Sequence, residues 1–101
     1  MGPSASILLL RVAQTWPLPG LGLLALPDGP TPYLVACALH TALAIEVRRP
    51  DGTGDSGQAT VEEVSRSSDA DGPTRGLLLD LGLARELPVG TTIWLVGQPL
   101  G

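Results

Sequence analysis

Residues 42–48 read ALAIEVR, and this stretch decides the fold class. Successive side chains of an extended chain point to opposite faces of a sheet. Leu43, Ile45 and Val47 therefore share one face, while Glu46 falls on the other. This period-two alternation predicts a β-strand with one buried face.

Short apolar runs recur on both sides of this stretch, and glycine or proline separates them. Such spacing is typical of an antiparallel all-β barrel or sandwich with six or seven short strands. The predicted strands are residues 5–14, 21–26, 33–39, 42–48, 59–66, 76–83 and 91–96. Gly22 inside the second strand predicts a bulge or a close backbone approach.

The connections between the strands carry turn chemistry. Residues 27–32 (PDGPTP) combine proline, aspartate and glycine, which favour tight turns. Residues 15–20 contain two prolines, which lack backbone donors, so we predict an irregular corner or an edge there. Polar loops are predicted at residues 50–58 and 67–74, and a turn at residues 84–90.

The segment after residue 30 allows a second interpretation. Thr31 could cap a helix that has Pro32 at its first position, since both residue types are favoured there. Residues 33–49 are also rich in alanine and leucine. Local propensity leaves helix and strand equally open for this segment.

Length and composition limit the classes of protein. A chain of 101 residues fits one domain, which we place at residues 6–97, with tails at 1–5 and 98–101. The formal net charge of −4 argues against nonspecific nucleic-acid binding. Cys37, the only cysteine, excludes an internal disulfide and is expected to be a buried small hydrophobic residue.

The apolar runs are too short for a transmembrane helix, so we expect no membrane partner. A secretory signal carries basic residues before its apolar run, and no basic residue precedes the apolar run at residues 7–10. We therefore expect a cytoplasmic location.

The C-terminal half carries a pattern that resembles the second domain of elongation factor Tu-type translation GTPases. In that family an A/T-V-x-x-V/I strand, a loop, a G-L-L-L strand and a glycine that opens the last strand follow one another. The corresponding residues are Ala59-Thr60-Val61, Val64, Gly76-Leu77-Leu78-Leu79 and Arg85-Glu86-Leu87-Pro88-Val89-Gly90.

The N-terminal half is similar to the same family, from Val12 to Gly22-Leu23-Leu24 and from Leu43 to Gly52. The resemblance covers about residues 6–97 and implies a small closed β-barrel, which favours a strand at 33–39. Leu21 replaces the family's basic residue in the first G-x-G corner. His40-Thr41 stands where the family has a Gly-Asp turn.

The resemblance also carries functional implications. In family members this barrel docks on a GTPase domain and helps to hold the acceptor end of aminoacyl-tRNA. A P-loop requires a lysine, and this chain has none, so we expect neither GTPase activity nor a nucleotide partner. The resemblance implies a stand-alone, translation-related binding module.

Four residues are candidates for partner binding: Trp16, His40, Arg48 and Arg49. Trp16 lies among prolines and could anchor a partner through its large apolar surface. His40 lies at a predicted turn and could serve as a ligand or in catalysis. Arg48 and Arg49 could contact a phosphate or a carboxylate. Trp94, in the middle of a strand, is expected to line the core or a groove.

Two short motifs suggest chemistry only weakly. Residues 54–57 (GDSG) match part of a serine-protease motif, but one barrel of this length is too small for that class. Asp51, Thr53, Asp55 and Glu62 have the spacing of a calcium-binding loop, but Ser56 occupies the position that requires glycine.

We therefore expect a non-catalytic binding module that uses no metal and no cofactor. Its partner would be a protein or an RNA end. The alternative is a structural protein that self-associates through barrel edges, as a homodimer.

Overall fold

A computed structural model of the chain describes residues 7–64, 74–80 and 87–96. These residues form a closed barrel in the order β1-β2-β5-β4-β3-β6, and every strand pair is antiparallel. The strands are β1 (Ile7–Leu18), β2 (Gly22–Pro27), β3 (Ala42–Arg48), β4 (Gly54–Val64), β5 (Thr74–Leu79) and β6 (Thr92–Leu95), with one helical turn, α1 (Pro32–Val35). The prediction of a small closed antiparallel all-β barrel is confirmed.

The barrel interior is aliphatic, as the alternation of β3 predicted. Leu43, Ile45 and Val47 are fully buried, whereas Glu46 lies on the outer face. Leu77 and Leu79 of β5 also point inward. Ile93 and Leu95 of β6 complete the same cluster from the opposite side.

Strand β1 is longer than predicted, since it continues through the proline-containing stretch at 15–18. The corner predicted for residues 15–20 therefore begins only after Leu18. Trp16 pairs with Leu24 and Pro17 with Leu23. A proline is tolerated there because this end of β1 is bonded to one neighbouring strand, and its other side needs no N–H donor.

The prediction of a polar loop over the whole of residues 50–58 is also wrong. Only the first residues turn the chain, and β4 begins at Gly54. Ser56 lies opposite Glu46, and Gly54 lies opposite Arg48. Pairing with β3 thus extends a strand through polar residues that have little strand propensity of their own.

Residues 33–39 do not form a strand. Pro32–Val35 is a single helical turn, in which the Val35 N–H bonds to the Thr31 carbonyl at 3.0 Å. The helical interpretation was right about the start of this segment, but the turn stops after four residues. Leu34 inserts into the barrel core, and this buried contact holds the turn in place. Cys37 packs against the same core and is half-buried.

Strand β5 begins two residues earlier than predicted and ends at Leu79. The predicted extension to residue 83 lies outside the described residues, as do the two tails and most of the predicted loop at 67–74. Among the described residues, no helix has the length and apolar character that a membrane crossing requires.

Gly22 is the point of close approach that the sequence predicted. Its φ angle is +143°, and a Cβ atom at this position would collide with the carbonyl oxygen of Leu79. The backbones of β2 and β5 therefore approach closely at this position. Only glycine accommodates both the angle and the contact.

We therefore expect Gly22→Ala to lower the free energy of unfolding by more than about 1 kcal/mol. Gly29→Ala is the matched control, because a Cβ there meets no atom within 4 Å and no positive φ angle is involved. This control should stay within about 0.5 kcal/mol of the parent protein. Urea unfolding measures both variants, and equal midpoints would contradict the role of Gly22.

Candidate functional site

The outer face of the barrel carries a continuous cross-strand row. Trp16 of β1 pairs with Leu24 of β2, which pairs with Leu78 of β5. Leu78 in turn pairs with Thr60 of β4, and Thr60 with Ala42 of β3. Leu77 and Leu79 point inward, so Leu78 between them points outward. Within this row Trp16 is exposed, Leu78, Thr60 and Ala42 are half-buried, and Leu24 is buried.

Trp16 is 40% exposed, as its place among prolines predicted. It lies two strands from Leu78, a distance of about 10 Å at the usual strand spacing. Its backbone is held in place by the pairing of β1 with β2. A large, partly exposed aromatic side chain in this setting is suited to contact a partner.

A groove of about 300 Å³ opens beside this row. We call it the outer groove, and its lining is Leu21, Ala42, Gln58, Ala59, Thr60, Leu78, Leu79 and Asp80. Leu21 is 63% exposed at its margin. Among the described residues that line it, Asp80 is the one ionisable side chain.

His40 lies on the same side of the barrel, at the turn before β3. Its φ angle of +68° is unusual for a residue other than glycine, and its N–H bonds to the Val61 carbonyl at 2.7 Å. The His40 Nδ1 and Glu62 Oε2 atoms are 3.1 Å apart, and Thr60 Oγ1 donates to the same carboxylate oxygen at 2.9 Å. His40 thus belongs to a local hydrogen-bond network that ties the turn to β4.

Arg48 lies at the opposite end of β3. Its guanidinium stacks over the Trp94 ring, 4.8 Å from the centroid, and donates to Glu46 Oε1 at 3.0 Å. Trp94 Nε1 donates to Thr92 Oγ1 at 2.9 Å. A cation–π contact at an exposed site contributes about 0.5–1 kcal/mol. Arg48 is therefore anchored across β3 and β6.

Arg49 stabilises the turn between β3 and β4. Its Nη2 atom lies 2.8 Å from Asp55 Oδ2, and only 11% of its side chain is exposed. Inside the turn, Asp51 Oδ1 accepts hydrogen bonds from the Thr53 hydroxyl at 2.6 Å and from the Thr53 N–H at 2.9 Å. A polar depression of about 410 Å³ lies between this turn and Glu46.

The four predicted residues therefore do not form one site. His40 lies just before β3 and Arg48 at its far end, so the strand between them, about 20 Å long, separates the two side chains. Trp16 belongs to the apolar row, whereas Arg48 and Arg49 hold the β3–β4 end together. Only Trp16 and His40 lie on the side of the barrel that carries the outer groove.

The two weak motifs do not assemble in the structure. Ser56 pairs with Glu46, while His40 contacts Glu62, six residues further along β4 and about 20 Å away. Asp51 and Asp55 are held by Thr53 and Arg49, at the other end of β4 from Glu62. Within the part of the chain that the structure describes, no three His, Cys, Asp or Glu residues form a cluster that could hold a metal ion.

The sequence interpretation missed the outer groove. One signal was present, since Leu78 is an apolar residue on the outward side of a strand whose inward side is already apolar. Asp80 follows on that same outward side. The contributions of Leu21 and Ala42 depend on how the strands are arranged around the barrel.

In comparisons with family models, with curated proteins and with solved structures, nothing matches this chain. The likeness to the second domain of elongation factor Tu-type GTPases stays a prediction from the sequence.

The hydrogen bonds from Thr53, the hydroxyl first and then the backbone N–H, hold the pKa of Asp51 below its ordinary value of 3.8. We expect Thr53→Val to raise the pKa of Asp51 toward 3.8, whereas Thr53→Ser keeps the hydroxyl and the low pKa. Because the folded pKa is depressed, this carboxylate stabilises the fold above its unfolded pKa. That contribution is lost as the pH falls through the folded pKa.

An NMR titration of the Asp51 carboxyl carbon measures this pKa in the parent protein and in both variants. Identical titration curves for the valine and serine variants would contradict the role of the Thr53 hydroxyl.

Proposed function

We propose that this chain is a non-catalytic binding module whose partner contacts the outer surface of β1, β2, β5 and β4. The observation that carries the proposal is Trp16, which is exposed beside an apolar row and near the outer groove. Tryptophan is enriched among residues that dominate binding energies, because it buries a large area with few rotatable bonds.

A binding role is also supported by the positions of the polar residues on the barrel. Of the groups that could suggest catalysis, His40 lies at the Glu62 end of β4, about 20 Å from Ser56 and from the turn that holds Asp51. A catalytic base must reach the proton it removes, directly or through one water. This separation favours recognition over group transfer.

The proposed setting is translation, in the cytoplasm, without GTPase activity and without a bound nucleotide. The support is the likeness of residues 59–64 and 76–90 to the closing strands of the translation-factor barrel. A closed antiparallel barrel agrees with that likeness. The partner is then a protein or an RNA end.

We expect Trp16→Ala to weaken partner binding at least about tenfold while leaving the fold intact, since the indole packs only on the outer face. The partner is captured from a lysate of the native organism, with and without RNase, and its affinity is then measured with both proteins. If RNase treatment abolishes the capture of the partner, the partner is an RNA.

Val89→Ala is the control, because Val89 is an exposed apolar side chain in the turn before β6, a strand that is paired with the other end of β1. Equal affinities of the parent protein and the Trp16 variant would remove Trp16 from the proposal.

Self-association is a second candidate function, and one observation favours it. Leu8 pairs with Trp94 on the outer face of β1 and β6, and Leu8 is 45% exposed. Val96, two residues after Trp94, is also exposed. Because the closed barrel gives each strand two neighbours, two copies would meet through this face rather than through strand edges.

If this face joins two copies, light scattering will give twice the monomer mass at high concentration, and Leu8→Lys will restore the monomer mass. Leu39→Lys, at an exposed leucine outside this face, should leave the mass unchanged. A monomer mass for the parent protein at every concentration would exclude self-association.

A further inference from the structure

We propose that Pro17 prevents a second copy of the chain from adding a strand to the barrel along the second half of β1. This role goes beyond the binding function proposed above. It follows from the pairing of β1, from the uncharged sequence around Pro17 and from the backbone chemistry of proline.

Strand β1 changes neighbours along its length. Its first residues, Ile7–Arg11, pair with β6. Val12 ends this contact through backbone hydrogen bonds to Gly90 and Thr91. The rest of the strand pairs with β2. Among the residues that the structure describes, no strand pairs with the other side of residues 13–18, which we call the open edge.

The open edge lies at the surface of the barrel. Gln14, Trp16 and Pro17 are all exposed. A strand edge that faces water is a template for another chain, because its N–H and C=O groups are arranged to bond a further strand. A protein that stays dispersed therefore needs a feature that blocks pairing at such an edge.

The open edge is not protected by charge. From Val12 to Pro27 the sequence contains no Asp, Glu, Lys, Arg or His. The flanking residues Arg11 and Asp28 lie 3.8 Å from each other, before the open edge begins. Charged side chains commonly prevent strands from associating at their edges, and uncharged stretches with high strand propensity favour association. Protection must therefore come from the backbone.

Proline supplies this protection. It has no N–H group, so a strand added beside Pro17 would lack a hydrogen bond of the ladder. The open edge is also short. A register shift between Val12 and Gln14 disrupts the ladder at one end. At the other end the chain turns, and the Leu21 N–H bonds to the Leu18 carbonyl at 2.9 Å. An added strand of useful length therefore has to pass Pro17.

The same proline keeps Trp16 accessible. A strand added at the open edge would lie about 4.8 Å from β1, and its side chains would contact the indole. Blocking that strand leaves Trp16 exposed, as observed. The proposed binding of a partner through Trp16 and the block at Pro17 are therefore compatible.

The test replaces Pro17 by a residue that has an N–H group and a high strand propensity. We expect Pro17→Val to associate as its concentration rises, and light scattering should then give at least about twice the mass of the parent protein. Pro30→Val is the matched control, because it removes an exposed proline from the connection between β2 and α1. Its mass should equal that of the parent protein.

Two further variants separate the N–H group from the side chain. Pro17→Lys also restores the N–H, but it adds a charge to the open edge. Like charges on paired strands repel each other, so this variant should keep the mass of the parent protein. Pro17→Ala restores the N–H with a small side chain and replaces the valine variant if that variant does not fold. The urea midpoint of each variant shows whether its fold is retained.

The double variant Leu8→Lys/Pro17→Val locates the association. If it occurs at the open edge, it persists in the double variant, because Leu8 lies in the half of β1 that pairs with β6. Loss of association in the double variant would assign it to the Leu8 face and overturn the role of Pro17.

A folded Pro17→Val protein with the mass of the parent protein would also overturn the proposal. So would association of Pro30→Val to the same extent. The binding function is tested separately, by the affinity of Trp16→Ala for the captured partner, and stands or fails independently of these masses.

Discussion

Strand β6, four residues long, pairs with β1 on one side and with β3 on the other, and the closed barrel depends on this double pairing. Without it, β1 and β3 would expose rows of unpaired backbone groups. The pairing also sets direction, since Ile93 and Leu95 must point inward to complete the core. This inward orientation determines which side chains of β6 point outward, Trp94 included.

Closure then divides the outer surface into two regions of different character. At the β3–β4 end, Arg48 and Arg49 are held by Trp94, Glu46 and Asp55, so charge there is balanced locally. On the β3–β4–β5 side, the outer groove is lined by both apolar and polar residues, such as Leu78, Gln58 and Thr60. The two regions arise because a closed sheet separates residues that lie close together in the chain.

The candidate site was only partly predictable from the sequence. The exposure of Trp16 followed from its proline neighbours, because proline disfavours the fully bonded interior of a sheet. The roles of His40, Arg48 and Arg49 were not predictable. Each is engaged with a residue far away in sequence or in another strand, such as His40 with Glu62 and Arg48 with Trp94. The outer groove draws on three strands, β3, β4 and β5, and on the turn at Leu21, and no local pattern joins Leu21 to Ala42.

The sequence by itself determined the fold class and the inward side of the main strands. Alternation such as that of residues 42–48 is a local property, and burying one face of each strand leaves few other arrangements. Only the tertiary structure decided where β4 begins, why β1 continues through Pro17, and that Pro32–Val35 is helical. These outcomes depend on pairing with β3, on pairing with β2 and on the insertion of Leu34 into the core. Contacts between distant residues outweigh local propensity there, because a buried side chain or a paired strand contributes more free energy than the preference of a single residue.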